Sequence, residues 1–192
     1  MARLFLPAFL LLLCWGCVSG CQERASASAT PGRGPGVNVP TTVTIRLANG
    51  ERSQDGLVRA ALAAFSAGDT ATLERLLISR DEFERHIYPE LGMRYVAARD
   101  MRPEARSFIW ENQVMNSTKG LERGLRDLSG HHMELERVEH AEGGARYASY
   151  TIYEGTVARV RMEDGREADI HALGSVVEMD GVYKLLTYRE RN

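Results

Sequence analysis

From residue 22 to residue 192 the chain contains no cysteine; its three cysteines are Cys14, Cys17 and Cys21. A domain without thiols has no disulfide, no cysteine nucleophile and no cysteine ligand for zinc or an iron–sulfur cluster. Positive charge is also short. The chain carries 24 basic against 26 acidic residues and no basic tract. It lacks the excess that neutralises nucleic acid phosphates or anionic lipid headgroups, so no nucleic-acid partner is expected. There is no glycine-rich nucleotide loop, nucleophile elbow, zinc-binding helix motif or calcium loop, and no cofactor is expected. The one long apolar run, Leu4 to Cys14, is too short to cross a bilayer.

What is present begins with that run. Arg3 is the only charge in the first twenty residues, and Val18-Ser19-Gly20 follow the apolar stretch with small or short side chains. Such an order is that of a secretory signal, because a peptidase needs small residues and an extended backbone where it cuts. Val18-Ser19-Gly20-Cys21 resembles the lipobox of bacterial lipoproteins: a branched apolar residue, two small ones and a cysteine. The resemblance covers residues 1–21. It implies diacylglycerol on the Cys21 sulfur, cleavage before Cys21 and acylation (palmitate or a similar chain) of the new amino terminus. The other reading is an ordinary cleaved signal with a cysteine there by chance. Cys17 fits less well, since Trp15 stands where a small residue is wanted. Several acyl chains on one residue anchor a protein stably, whereas one short chain does not. Gln22 after the cysteine, rather than Asp, implies by family precedent the periplasmic face of the outer membrane.

Residues 21–40 are expected to form a lipidated tether. Ser, Ala, Thr, Gly and Pro dominate Ala25 to Gly36, with no apolar period to build a core. Residues 41–192 then suit one domain, long enough to bury a core without disulfides. Thr41 to Leu47 alternates like a short strand that ends near Asn49-Gly50. Val58, Ala61, Leu62 and Phe65 lie on one face of a helix that stops at Gly68. Asp69 is an N-cap for a second helix with Leu73, Leu76 and Leu77 on its apolar face. Ser79-Arg80-Asp81-Glu82 reads as a capping box, with Phe83 and Ile87 inward and Tyr88-Pro89 closing the segment. A further helix starts near Pro103 and carries Phe108, Ile109, Trp110, Val114 and Met115. A break near Asn116-Ser117 is expected before Leu121, Leu125 and Leu128 continue the pattern to Gly130.

After His131 the apolar period becomes two. Gly143-Gly144, Asp164-Gly165 and Asp180-Gly181 are turn signals. They separate expected strands at about 132–140, 146–162, 167–178 and 182–189, with bends at Gly155 and near Gly174. Consecutive hairpins make an antiparallel meander, and the preceding helices must cover one face, which gives an α+β class. Two helices joined by Ala67-Gly68-Asp69, further helix and a curved meander resemble the NTF2-like (cystatin-like cone) superfamily over about residues 54–190. The early strand pair of that family is not visible in 88–102. The resemblance implies a conical pocket, and it covers isomerases, dehydratases and cyclases as well as non-catalytic binding modules. Its sheets often pair face to face, so a homodimer is also implied. The first two helices carry no tyrosine or histidine on their inner faces, so no catalytic residue is transferred.

Of the histidines, His131 and His132 point to opposite faces of an extended chain. His132 and His140 share a face but lie about 26 Å apart, and His86 sits in a helix beside Arg85 with Glu82 at i−4; no metal site is expected. Asp169 and His171 share a strand face some 7 Å apart, the spacing of an acid–base dyad. Glu167 is on the same face, however, and Ala168, Ile170 and Ala172 are on the other, so the simpler reading turns Glu167, Asp169 and His171 to water. Trp110 and Tyr150 are aromatics that could stack on a ligand in a half-open cone. Trp110, Tyr150, Asp169 and His171 are thus the candidate ligand-binding residues, and Cys21 the lipidation site. The expected function is a membrane-anchored, non-catalytic domain binding a small ligand or an envelope protein. The rival is an NTF2-like isomerase or hydrolase with an acid–base residue in the cone.

Overall fold

The computed structural model describes residues 47–94, 103–141 and 143–189. The lipobox, the tether and all of the strand expected from Thr41 to Leu47 except its last residue lie outside them; Leu47 itself is in no strand. Among the described residues no helix is long and apolar enough to cross a membrane. Helix α1 (Gln54–Ala67) is capped by the Ser53 hydroxyl and closed by Gly68 in the left-handed region at φ 67°. Asp69 caps α2 (Thr70–Leu76) by accepting from the Thr72 amide. The expected capping box is present in α3 (Arg80–Glu82): the Ser79 hydroxyl accepts from the Glu82 amide while the Glu82 carboxylate accepts from the Ser79 amide.

Two expected helix boundaries are corrected. Tyr88-Pro89 does not end its segment. A π-helical turn (Phe83–Ile87) leads straight into α4 (Tyr88–Arg94), and the Tyr88 amide reaches back to the Phe83 carbonyl. The widened turn places Pro89 in the first turn of the next helix, where its missing N–H removes no bond. Nor does the chain break at Asn116-Ser117, because α5 runs unbroken from Pro103 to Leu128. Its small residues serve close approach instead. Ser117 is buried and accepts from the Tyr188 amide at 2.9 Å. A Cβ on Gly120 would stand 2.7 Å from the Tyr188 carbonyl carbon, and one on Gly124 would stand 2.5 Å from the Phe65 ring.

The strands are β1 (Met133–His140), β2 (Gly144–Arg146), β3 (Thr151–Tyr153), β4 (Thr156–Met162), β5 (Glu167–Ile170), β6 (Val176–Met179) and β7 (Val182–Leu185). They pair antiparallel in two sheets, ordered β1-β4-β5 and β2-β3-β6-β7. The two sheets are halves of one meander folded along a crease. Ala141 donates to Gly155, Thr156 to Gly174, and Gly174 to Thr187, so a line of backbone bonds crosses every strand where it is interrupted. The bends expected at Gly155 and Gly174 are therefore found, and Gly155 takes φ 64°. Gly143-Gly144, by contrast, makes no hairpin. Gly143, at φ 69°, sits at the crease in the first long strand, and that strand resumes as β2. The hairpin lies four residues on, where the Tyr147 amide meets the Tyr150 carbonyl and Glu90 accepts from the Ala148 and Ser149 amides. Asp180-Gly181 turns with both residues at positive φ, as its sequence predicts.

The crease separates two environments. Along β1-β4-β5 one face (Leu135, Ala158, Val160, Ile170) packs on α1, α2 and α5, while the other carries Arg159–Asp169 and Arg161–Glu136 ion pairs. Along β3-β6-β7 both faces are covered. Val176 and Leu185 join that same core, whereas Ile152, Val177, Met179 and Val182 form a second core with Leu47, Phe83, Ile87 and Tyr88. The helices thus cover more than the single face expected, because the π-turn and α4 fold over the far side.

Candidate binding cleft

A cleft of about 250 Å³ opens between α2, α5 and the chain after β7. Leu77 ends α2 in an extended conformation and bridges to Leu185, and the Ile78 amide donates to the Leu185 carbonyl at 2.8 Å. These bonds set Leu77, Ile78 and Leu186 along one wall. The α5 side chains Trp110, Val114 and Leu121 form the other. Trp110 is held from behind by Phe83, their ring centroids 5.3 Å apart.

Three polar side chains of the lining are bonded within the chain. Gln113 donates to the Leu186 carbonyl at 3.1 Å, Ser117 accepts from the Tyr188 amide and Thr118 donates to the Val114 carbonyl at 2.9 Å. Glu74, exposed at the mouth, is the one charged lining residue. The cleft therefore presents mainly aliphatic and indole surface. Its volume is below the roughly 300 Å³ at which drug-sized ligands begin to fit, and it suits a single large side chain or a short alkyl segment.

The candidate ligand-binding residues fall in three places. Trp110 lines the cleft. Tyr150 is buried in the second core, its hydroxyl donating to the Ile87 carbonyl at 2.8 Å and its ring stacked on Tyr147 at 4.5 Å. Asp169 and His171 are brought together on the rim of a smaller hollow of about 110 Å³, beside Arg123, Asp127 and Arg189. There the Arg159 guanidinium grips Asp169 with two bonds, at 2.8 and 3.0 Å, and holds its carboxyl below the usual carboxylate range. A carboxylate stabilised in its charged form this way is a weak proton acceptor. Glu167 and Asp169 are exposed and Ile170 is buried, as the alternation predicts, but β5 ends at Ile170, and His171 and Ala172 beyond it are both half-buried.

Two polar arrangements escape the sequence. His140 lies face to face with Tyr153, ring centroids 4.9 Å apart, with Nδ1 3.4 Å from the Thr156 hydroxyl and Nε2 against the Gln54 side-chain amide. Burial pushes its imidazole below the ordinary histidine value. Glu82 and Lys184 form a buried ion pair at 2.9 Å. Burial works to raise the Glu82 carboxyl, but the Ser79 and Ala48 amides and the Lys184 ammonium outweigh it and hold it low. Among the described residues no cluster of three or more histidine, cysteine or carboxylate side chains could hold a metal ion.

Comparison with protein-family models, with curated proteins and with solved structures finds no match to this chain.

Proposed function

We propose that the chain is a lipoprotein held at the cell envelope by acylated Cys21, on the periplasmic face of the outer membrane, and that its domain is a non-catalytic binding module. The cleft beside Trp110 carries this reading. It is apolar, open and too small for a drug-sized ligand, which favours one buried side chain of an envelope protein over a free small molecule. Creased strands under helices accord with the NTF2-like resemblance, a class in which many members bind without catalysis.

The rival, an isomerase or hydrolase, needs an acid or base free to exchange protons in a pocket. Glu82 is engaged by Lys184 and two amides, and Asp169 by Arg159. Trp110 gives the direct test, since the other tryptophan, Trp15, is in the expected signal. Titration of the mature chain with short leucine- or phenylalanine-bearing peptides is expected to shift Trp110 emission to a plateau, and Leu121→Glu to abolish the shift. No shift with any apolar peptide would remove the binding reading. Turnover of ester or ketosteroid-type probes would install the rival.

A further inference from the structure

Among the described residues one side of α5 is left without a partner, and its residue order is self-complementary. At about 100° per residue, Glu104, Phe108, Glu111, Met115, Lys119, Glu122 and Arg126 fall within roughly 40° of a single line along the helix. All seven are exposed, with Phe108 at 65% and Met115 at 50%. Glu104, Glu111, Lys119 and Glu122 make no ion pair among the described residues. The cleft wall formed by Trp110, Val114 and Leu121 lies to one side of this line, with Thr118 of the cleft lining next to it.

We infer that this stripe is the docking surface for a second copy of the chain, the two α5 helices lying antiparallel about a two-fold axis at Met115. That axis sets Met115 against its own equivalent, Glu111 against Lys119 and Glu104 against Arg126. Phe108 falls on the aliphatic stems of Lys119, Glu122 and Arg126 of the second copy, where a ring gains from both apolar cover and cation contact. The order acid, ring, acid, methionine, base, acid, base makes opposite charges meet in the antiparallel alignment. A parallel one would set Glu104, Glu111 and Glu122 each against itself. Such a patch is isologous, the requirement of a closed dimer. A membrane surface is the less suitable occupant, because interfacial helices flank their apolar face with Lys and Arg rather than with three glutamates. The surface is a helix, not the face-to-face sheet that the superfamily resemblance implies, and the inference does not depend on what fills the cleft.

Disulfide trapping in the full chain, expressed in a bacterial envelope and mildly oxidised, tests the geometry. Met115→Cys is expected to yield a covalent dimer above the wild-type background. Lys119→Cys alone should not, since its two copies would be offset by about 12 Å along the pair, beyond disulfide reach. Lys119→Cys co-expressed with Glu111→Cys should cross-link again. Adding Glu111→Lys to Met115→Cys should lower the yield about tenfold, and Lys119→Glu on top should restore it. Equal yields from Met115→Cys and Lys119→Cys would overturn the proposal. So would absence of any cross-link while a polarity-sensitive dye on Met115→Cys reports an apolar bilayer in vesicles.

Discussion

Lys184 and Glu82 meet with both side chains almost out of water, at 4% and 7% exposure. Removing one member of such a pair strands the other's charge, so Lys184→Met is expected to cost about 3–5 kcal/mol, read from urea midpoints at pH 7. Replacing both, as Glu82→Gln with Lys184→Met, should recover most of that loss. The pH dependence has a definite sign. Because Glu82 is depressed in the folded state, its contribution is complete above its ordinary value of 4.5 and is lost as pH falls through the folded value. Glu82→Gln should therefore flatten part of the acid limb of the stability curve; an unchanged limb would assign acid unfolding to other carboxylates. Half of this arrangement is legible in the sequence. Ser79-x-x-Glu82 announces the capping box from local spacing, but Lys184 is 102 residues away and only strand pairing brings it there. The same holds for His140, whose partners Gln54, Tyr153 and Thr156 come from three other segments.

At the scale of elements, caps, periodicity and the strand bends at Gly155 and Gly174 are readable, whereas the continuity of the helices is not. Gly68, Asp69 and the Asp180-Gly181 turn act through their own backbone, so composition discloses them. Asn116-Ser117 looks like a helix break because polar residues are poor helix formers, yet the helix continues there, and the chain after β7 crosses it at Ser117 and Gly120, which must be small. Gly120→Ala measures the two effects against each other. Alanine gains about 1 kcal/mol of helix propensity, while a Cβ 2.7 Å from backbone forces a shift costing about 1–3 kcal/mol. Net destabilisation is expected, whereas Asn116→Ala, on the exposed side, should stabilise slightly. Thermal midpoints of the two variants check both signs, and a stabilised Gly120→Ala would mean that the crossing strand yields freely. Gly143-Gly144 misled for a related reason. A glycine pair marks positive φ, and that serves a crease inside a strand as well as a turn between two.

Across the whole molecule, α1, α2 and α5 cover one face of the meander and the π-turn with α4 covers part of the other, so β6 and β7 hold two cores together. Only the first layer was legible, since the run through Tyr88-Pro89 reads as an end rather than a turn toward the far face. At this scale the anchor has its own check. Cys21→Ser is expected to release the protein from membranes and abolish fatty-acid labelling; retention in the membrane fraction would defeat the lipoprotein reading. The ion pair between α3 and β7 has one more consequence, because the chain has just two lysines, Lys119 and Lys184. The first is exposed on α5 and the second is sealed in the fold. In the folded protein, diluted to the monomer, an amine-reactive reagent should tag Lys119 at once, and Lys184 only as often as β7 swings away from Glu82. The slow second tag is thus a clock for that opening, with the fast first one as its internal standard.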